Sequence, residues 1–400
     1  MQELIDIVGA PNAAQQDGVL RVAPSSTQEV STVLKYCDEH HIVVTATGHG
    51  TKLGWGNPVS AAVLVDLSRL TGLREHSWQD LTATVAAGTT WEAMQASLAQ
   101  HHQRVALDPL FAQRATVGGV LAANDSGLLR MKYGSLRDLI LGMTIVLADG
   151  TIAQTGGKVV KNVAGYDLPK LLTGSFGTLG LITEATFRLH PVAQHTAAFT
   201  VRSPDVASLA DLMTAVLKAN MSLEAMQLRT ETLAYALDLQ FASLPEVLRE
   251  HEERLRSLAP TLAIEPADAG ILNARDLLFT NTEATILKIT ALPSKLAAIV
   301  AGVAQLAQLP DHAAQCVADP VGIVTVALTA SAEQLSLIVE DLRARLAGVG
   351  GAVVVLQRGA LPQTIDPWGP APAPLEIMRS IKREFDANHI LNPGKFVGGI

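Results

Sequence analysis

The segment TATGHGTKLGWG, residues 45–56, places four glycines directly after the short apolar run HIVVTA. The apolar run predicts a buried strand, whereas a loop with so few large side chains contributes little to a hydrophobic core. Glycine lets the backbone reach positive φ and approach a ligand closely, and successive exposed N–H groups form a concave site for anions. The segment therefore predicts an anion-binding turn at the end of a strand.

Three further segments in the first half of the chain share this composition: ATVGGVLAANDSG (115–127), MKYGSLRD (131–138) and GSFGTLG (174–180). One such loop is a common turn, but four of them indicate a single site for a long phosphate-bearing ligand. The frequent nucleotide motifs do not fit, because glycines 48, 50 and 54 miss the G-x-G-x-x-G spacing and no segment reads G-x-x-x-x-G-K-[ST]. Another scaffold has to hold the ligand.

Composition narrows the class of protein. A chain of 400 residues, 48% hydrophobic and 17% charged, predicts two or three globular domains, and a net charge of −8 argues against a nucleic-acid partner. The acidic start MQELIDIVGA lacks the features of a secretory signal, and no apolar stretch reaches the roughly 18 residues of a membrane span. We expect a cytoplasmic protein, at most peripheral to the inner face of the membrane through its partners.

Cysteine and histidine provide no metal site in this sequence. Cys37 and Cys316 are too few to ligate an iron–sulfur cluster unaided, and Cys37 lies on the apolar stripe of a predicted helix. The pairs His40-His41 and His101-His102 each end a predicted helix, where histidine complements the helix dipole. We therefore expect no metal in this chain.

Hydrophobic periodicity predicts an α+β fold, since strands often follow one another without an intervening helix. Helices are expected after Ser26 and Thr89, each of which stands in capping-box spacing to a glutamate. From about residue 196, strands alternate with amphipathic helices, which predicts a ferredoxin-like antiparallel sheet covered on one face. The proline-rich stretch LPQTIDPWGPAPAP is a linker before a last helix, and the sequence shows no convincing internal repeat.

In this order, the segments TGHGTKL, ATVGGVLAANDSG, KYGSLRDLILGMTIVLADG, GGKVVKNVAGYDLPKLLTGSFGTLGLIT and FDANHILNPGKF resemble the FAD-linked oxidases related to vanillyl-alcohol oxidase and p-cresol methylhydroxylase. Within that family the chain is most similar to the FAD-binding subunits of glycolate oxidase. The resemblance implies a PCMH-type FAD-binding domain of two α+β subdomains at residues 1–190. It also implies a ferredoxin-like cap over the flavin ring at 191–360, and a linker and C-terminal segment, 361–400, that returns to the FAD domain.

The resemblance also implies a set of FAD-binding residues. The backbone N–H groups that would hold the pyrophosphate belong to Gly48, His49, Gly50, Thr51 and Lys52. The residues implied beside the flavin and along its ribityl chain are Asp108, Pro109, Thr116, Gly118, Gly119, Asn124, Ser126 and Gly127, with Lys161 and Asn162 close to the cofactor. Ile182 would meet the adenine through its backbone, and Lys395 would return to the flavin domain.

Several of these residues have a plainer interpretation. Lys52 could neutralise the pyrophosphate or could be an exposed lysine at the end of a loop. His49 stands one place earlier than the histidine that carries flavin covalently in some relatives, so we expect non-covalent FAD. Asp167 is expected to cap a short helix rather than to contact the ligand.

The resemblance leaves three functions open. Catalytic members carry a motif of the form H-x-G-D-G-N-x-H in their C-terminal half, and this chain has none. Our first interpretation is an FAD-binding subunit of a glycolate or D-lactate dehydrogenase complex, paired with a catalytic FAD subunit and an iron–sulfur subunit. The alternatives are a self-sufficient FAD-dependent 2-hydroxy-acid dehydrogenase and a non-catalytic scaffold. Arg188, Arg275 and Arg358 could bind a substrate carboxylate, and no catalytic base is identified.

Overall fold

The computed structural model describes residues 1–157 and 166–400, and the chain divides into two compact units. Unit 1 consists of Met1–Ser126, Tyr133–Val192 and Pro370–Ile400, and unit 2 consists of Gly127–Lys132 and Ala193–Gly369. Residues 370–400 thus fold with the N-terminal part of the chain. The expected α+β class is confirmed, and the domain bounds given above remain a proposal.

Unit 1 begins with a mixed four-stranded sheet. Its elements are α1 (Gln2–Val8), β1 (Ala13–Gln16), β2 (Val19–Val22), α2 (Thr27–Glu39), β3 (Val44–Thr47) and β4 (Val63–Asp66). The strand order is β1-β2-β4-β3; β1 is antiparallel to β2, and β4 is parallel to both of its neighbours. Helix α2 packs on this sheet through Val30, Val33, Leu34 and Cys37, which are all fully buried as the sequence predicts.

A second, antiparallel sheet of five strands follows in unit 1. The elements along this part of the chain are β5 (Leu73–Ser77), β6 (Thr82–Ala86), α3 (Trp91–Ala99), β7 (Gln103–Arg104), α4 (Val117–Ala123), α5 (Arg130–Tyr133), α6 (Leu136–Leu139), β8 (Ile140–Val146), β9 (Ile152–Gly156), α7 (Leu168–Leu172), β10 (Leu181–Arg188) and β11 (His190–Pro191). The strand order is β5-β6-β10-β8-β9, while β7 and β11 form a separate two-stranded ribbon. Each sheet of unit 1 has its own apolar core, as expected of two α+β subdomains.

The two predicted helix caps have different outcomes. Ser26 caps α2 through its hydroxyl, as predicted. Helix α3 is capped by Thr90, whose hydroxyl accepts from the N–H of Ala93 at 3.2 Å, so the prediction of Thr89 is wrong by one residue. The Thr89 hydroxyl instead accepts from the Gly72 N–H at 2.9 Å and ties the helix entry to the preceding turn.

Unit 2 is built on one antiparallel sheet of eight strands. Its elements are β12 (Thr196–Ser203), α8 (Val206–Lys218), β13 (Leu223–Thr230), β14 (Tyr235–Ala242), α9 (Pro245–Leu258), β15 (Ile264–Ala267), α10 (Ala274–Leu277), β16 (Thr285–Thr290), α11 (Leu296–Leu306), β17 (Ala313–Ala318), β18 (Ile323–Thr329), α12 (Ala332–Ala347) and β19 (Ala352–Gln357). The strand order is β15-β12-β14-β13-β17-β18-β16-β19.

This order contains the ferredoxin-like pattern twice. Strands β12 to β15 with α8 and α9 form one β-α-β-β-α-β unit, and β16 to β19 with α11 and α12 form a second one. The two meet where β13 pairs with β17 over the two residue pairs Leu228–Ala318 and Arg229–Val317. The ferredoxin-like antiparallel prediction is confirmed, and the duplication of topology is a feature that the sequence did not reveal.

The two faces of this sheet differ in polarity. Leu237, Leu239 and Phe241 of β14 belong to the apolar core shared with the helices. On the other face, Asp238 is fully buried and accepts hydrogen bonds from Arg229 Nε at 2.8 Å and from the Thr200 hydroxyl at 2.8 Å. A buried carboxylate is tolerated in a strand because its charge is paired and hydrogen-bonded.

After the proline-rich linker, α13 (Leu375–Phe385) confirms the last predicted helix and belongs to unit 1. The chain then runs beside β3, where the N–H of Val44 donates to the carbonyl of Ile390 at 2.8 Å. A parallel bridge also joins Val44 to Leu391. These contacts place the C-terminal segment, which contains the predicted site residue Lys395, beside β3 of the first sheet.

Candidate functional site

The loop that follows β3 has the bare backbone predicted from its sequence. Gly50 adopts a φ of +71°, in the left-handed region that favours glycine. The N–H groups of His49, Gly50 and Thr51 donate no hydrogen bond to any other described residue. A Cβ on Gly48 would lie 2.3 Å from Thr116 Oγ1, so only glycine fits there. The loop therefore presents three adjacent amides without internal partners.

These amides face a groove formed by two overlapping pockets of unit 1. The residues that line it are Thr45, Ala46, Thr47, Gly48, His49, Gly50, Thr51, Lys52, Leu53, Leu67, Ala87, Thr116, Gly118, Gly119, Ala122, Ala123, Phe176, Gly177, Gly180, Leu181, Ile182, Asn392 and Lys395. Neither pocket has an aspartate or glutamate among its described lining residues. A pocket that is lined by loop backbone and has no carboxylate among its described lining residues suits an anionic ligand.

Ten of the predicted FAD-binding residues line this groove, and five do not. Those that the structure brings together are Gly48, His49, Gly50, Thr51, Lys52, Thr116, Gly118, Gly119, Ile182 and Lys395. Those outside these two pockets are Asp108, Pro109, Asn124, Ser126 and Gly127. Lys161 and Asn162 lie outside the described residues.

Helix α4 forms the opposite wall, and its first amides are already bonded. Thr116 caps the helix by accepting from the N–H of Gly119 at 3.3 Å. The N–H of Gly118 donates to the carbonyl of Ala87 at 2.8 Å, and a Cβ on Gly118 would lie 3.0 Å from the Cβ of Ala87. Gly118 therefore permits close packing of the helix against residue 87. Of the N–H groups of the groove, those of His49, Gly50 and Thr51 in the loop lack an acceptor among the described residues, whereas those of Gly118 and Gly119 at the start of α4 have one.

Lys52 is buried, so the interpretation as an exposed lysine is wrong. Its ammonium donates to the carbonyl of Leu110 at 3.0 Å and lies 3.3 Å from the Asp125 carboxylate. The same carboxylate accepts from the N–H of Leu110 at 2.7 Å. A buried ion pair thus ties the glycine loop to the segments that contain the other predicted residues 108–109 and 124–127. Its role in neutralising a pyrophosphate remains a prediction.

The C-terminal segment supplies a second lysine to the groove. Lys395 donates from Nζ to the carbonyl of Leu53 at 2.6 Å, and its burial lowers the pKa of the ammonium to about 8. Asn392 also lines both pockets, but the sequence argument missed it. Its position in NPGK, next to a proline and a glycine, is the sequence signal of a turn that could have identified it.

The remaining predicted residues have local roles. Asn124 ends α4 in the left-handed conformation, and Asp108 is half-buried next to the buried Pro109. Asp167 caps α7 by accepting from the Lys170 N–H, as predicted. His49 Nδ1 donates to the carbonyl of Arg114 at 2.9 Å, which orients the ring toward the protein.

Arg358 and His251, whose side chains are of types that often act in catalysis, form hydrogen bonds within unit 2. The Arg358 guanidinium donates to the carbonyls of Pro362 and Ile365, which fixes the start of the linker. His251 lies on the charged helix α9, and its Nε2 accepts from the Ser222 N–H at 2.9 Å. Its pKa is lowered mainly because burial disfavours the charged ring. These contacts indicate packing roles for both residues.

The part of the chain that contributes most of the groove matches a known protein family. Residues 20–156, which include the glycine loop and α4, match the FAD binding domain family. The chain is 38% identical over 171 residues to the glycolate oxidase subunit GlcD of Bacillus subtilis, a match that covers 42% of this chain and 36% of that protein. It is 36% identical over 226 residues to a D-lactate dehydrogenase of Archaeoglobus fulgidus, covering 55% of this chain and 49% of the relative. The chain thus spans at most about half of each of these relatives.

Solved structures of other proteins resemble the fold of this chain. A 4-ethylphenol oxidase of Gulosibacter chungangensis matches with a TM-score of 0.76 at 16% identity, covering 98% of this chain and 95% of that one. A p-cresol methylhydroxylase matches with a TM-score of 0.74 at 16% identity and the same coverage. Identities this low establish the fold alone. None of the helices in residues 1–157 and 166–400 combines the length and apolar character needed to cross a bilayer.

Proposed function

We propose that this chain is an FAD-linked oxidase and, within that family, an FAD-dependent 2-hydroxy-acid dehydrogenase component that acts on glycolate or D-lactate. More specifically, we propose that it is the FAD-binding subunit of a complex with a catalytic FAD subunit and an iron–sulfur subunit. The similarity to a glycolate oxidase subunit and to D-lactate dehydrogenases supports the substrate class. The two buried cysteines are too few for a cluster, which favours an iron–sulfur partner.

The observation that carries the FAD assignment is the groove beside the glycine loop. The N–H groups of His49, Gly50 and Thr51, which have no acceptor among residues 1–157 and 166–400, can donate to the two phosphates of a dinucleotide. Lys395 lines the same pocket and adds a positive charge at neutral pH, since its pKa of about 8 lies above 7. The backbone around Ile182 lines the adjoining pocket, where the adenine would lie.

Within the proposed complex the chain's own residues bind and orient the cofactor. FAD, when bound, supplies a ring that can accept a hydride from the hydroxyl-bearing carbon of the substrate. The His49–Thr51 amides fix the diphosphate, and the ion pair of Lys52 with Asp125 holds the loop in place. No residue is assigned as the base that would accept the hydroxyl proton. In the proposed complex the catalytic FAD subunit supplies this base, in keeping with the lack of an H-x-G-D-G-N-x-H motif in this sequence.

The first experiment separates the three functions. The purified chain should take up FAD and show a flavin spectrum, yet reduce a dye with glycolate or D-lactate only when the partner subunits are added. Robust turnover by the isolated chain would favour the self-sufficient dehydrogenase. A chain that takes up no FAD would favour the scaffold and refute the proposed function.

A pair of glycine variants tests the site itself. Gly50→Val forces a β-branched residue into a φ of +71°, at a cost of about 1–2 kcal/mol, so the Kd for FAD should rise about tenfold. Gly54→Val is the matched control, because Gly54 lacks a positive φ and a Cβ there meets no atom within 4 Å. Equal FAD affinities of the two variants would mean that the loop does not bind the diphosphate.

A further inference from the structure

The side chain of Asn392 connects three parts of the groove wall. Its Oδ1 accepts from the Thr45 hydroxyl at 2.6 Å, and its Nδ2 donates to the carbonyl of Phe176 at 2.9 Å. Its backbone N–H donates to the carbonyl of Val44 at 2.9 Å. Only 4% of the residue is exposed, and it lines both pockets of the groove. One carboxamide thus joins the end of β3, the turn at residue 176 and the C-terminal segment.

The turn at Phe176 depends on this contact because its conformation is unfavourable. Phe176 has a φ of +55°, which residues with a side chain rarely adopt, and Gly177 follows with a φ of +69°. Such a conformation persists only where the surroundings fix it. The N–H of Phe176 donates to the carbonyl of Ala122, and its carbonyl accepts from Asn392. A Cβ on Gly177 would lie 2.7 Å from Asn392 Nδ2, so the turn and the carboxamide are in close contact.

Asn392 also sets the position of the second lysine. Asn392 itself has a φ of +43°, and its carbonyl accepts from the Lys395 N–H at 3.1 Å, which closes the turn of residues 392–395. The Lys395 ammonium then reaches the carbonyl of Leu53 at the end of the glycine loop. Movement of Asn392 would therefore displace both Phe176 and Lys395, which line the pocket from different segments.

We propose that Asn392 is a positioning residue for FAD: its carboxamide preorganises the groove by holding Thr45, Phe176 and Lys395 in fixed relation. The inference rests on the proposed FAD site and adds a residue that the sequence motifs did not identify. Preorganisation raises affinity because the free protein has already lost the conformational freedom that binding would otherwise remove. Loss of the carboxamide should therefore weaken FAD binding more than it weakens the fold.

The test compares Asn392→Ala with two controls. Asn388→Ala removes an exposed carboxamide of the same segment, which contacts Asp38 and lines neither pocket. Thr200→Ala removes a buried hydrogen bond in unit 2, and its residue lines neither pocket. The measurements are the Kd and dissociation rate of FAD by flavin fluorescence, and the melting temperature of each variant. We expect a Kd at least tenfold higher for Asn392→Ala, and a change within twofold for both controls, although Thr200→Ala also lowers the melting temperature.

The single variant Gly177→Ala keeps the test decisive if Asn392→Ala folds poorly, because it disturbs the carboxamide without removing it and should raise the FAD dissociation rate. Where Asn392→Ala folds, the double variant measures the coupling between the two changes. Gly177→Ala places a methyl group against Asn392 Nδ2, so its effect on the FAD dissociation rate should be smaller in the Asn392→Ala background than in the wild type. Independent effects of the two changes, or a Kd of Asn392→Ala within twofold of the wild type, would overturn the inference. A wild-type chain that binds no FAD would instead refute the proposed function, on which the inference rests.

Discussion

The replacement of Lys382 by methionine should loosen the packing of the C-terminal segment against the rest of unit 1. Lys382 lies on α13, and its ammonium is paired with the Asp386 carboxylate; the two side chains are 3% and 0% exposed. The same ammonium donates to the carbonyls of Thr178 and Leu391, each at 2.7 Å. Two partners from the C-terminal segment and one from residue 178 thus converge on one buried cation.

The expected loss of stability follows from the charge left behind. Asp386 would remain buried without its cation, although it still accepts from the N–H groups of Ile390 and Leu391 at 3.0 and 2.8 Å. Removal of one partner of a buried ion pair costs about 3–5 kcal/mol. The two remaining hydrogen bonds place this change toward the lower end, so unfolding of unit 1 should become easier by about 3–4 kcal/mol. For a unit of this size the melting temperature should fall by about 10 °C.

The double variant Lys382→Met/Asp386→Asn tests whether charge is the cause. It removes both charges, and the asparagine keeps one oxygen that can accept from one of the two N–H groups, because Ile390 donates to Oδ1 and Leu391 to Oδ2 of Asp386. We expect it to be more stable than Lys382→Met alone, with a coupling energy of about 1–3 kcal/mol in the cycle. Chemical denaturation followed by circular dichroism provides the four free energies of unfolding. Additive effects, or a loss below about 1 kcal/mol for Lys382→Met, would refute this account of the pair.

Three further predictions concern the cofactor and the thiols. Because His49 stands one place earlier than the histidine that carries flavin in some relatives, SDS denaturation should release all flavin, and colour that stays on the chain would contradict non-covalent binding. As pH rises from 7 to 9.5, Lys395 loses its proton near its pKa of about 8, so the Kd for FAD should increase; Lys395→Met should flatten this dependence. Burial raises the pKa of Cys37 and Cys316 to about 12, so both thiols should resist iodoacetamide at pH 8 in the native protein and react only after denaturation.

The glycine loop was predictable because its signal is local. A strand that ends in a run of glycines indicates backbone available for a ligand, and the N–H groups of His49, Gly50 and Thr51 have no hydrogen-bond acceptor within the part of the chain that the structure describes. Helix α2 was equally readable, since its cap at Ser26 and its apolar stripe lie within one stretch of sequence. Local patterns of this kind need no knowledge of the rest of the fold.

The strands of unit 2 were harder to predict. Leu237, Leu239 and Phe241 alternate as a strand requires, but the sequence predicts β14 poorly because Asp238 interrupts the run and aspartate is depleted in strands. The partners that make this carboxylate tolerable, Arg229 and Thr200, lie on neighbouring strands. Strands β15 and β17 were missed as well; β17, AAQCVA, contains small residues with a weak strand preference. Without these strands the repeated ferredoxin-like order could not be recognised.

The groove depends on both local and long-range features. The sequence therefore identified its floor, which is the backbone of the glycine loop, but only part of its frame, which is the set of side chains that hold this loop. The floor is backbone, and glycine marks it in the sequence. The frame consists of side chains from distant segments: Asp125 pairs with Lys52, and Asn392 reaches Thr45 across most of the chain. The charge of Lys52 is balanced by Asp125 at 3.3 Å, so it adds little net positive potential. The attraction for a diphosphate therefore rests mainly on the loop amides and on Lys395, and a chain that lost its C-terminal segment would keep the floor but bind the cofactor weakly.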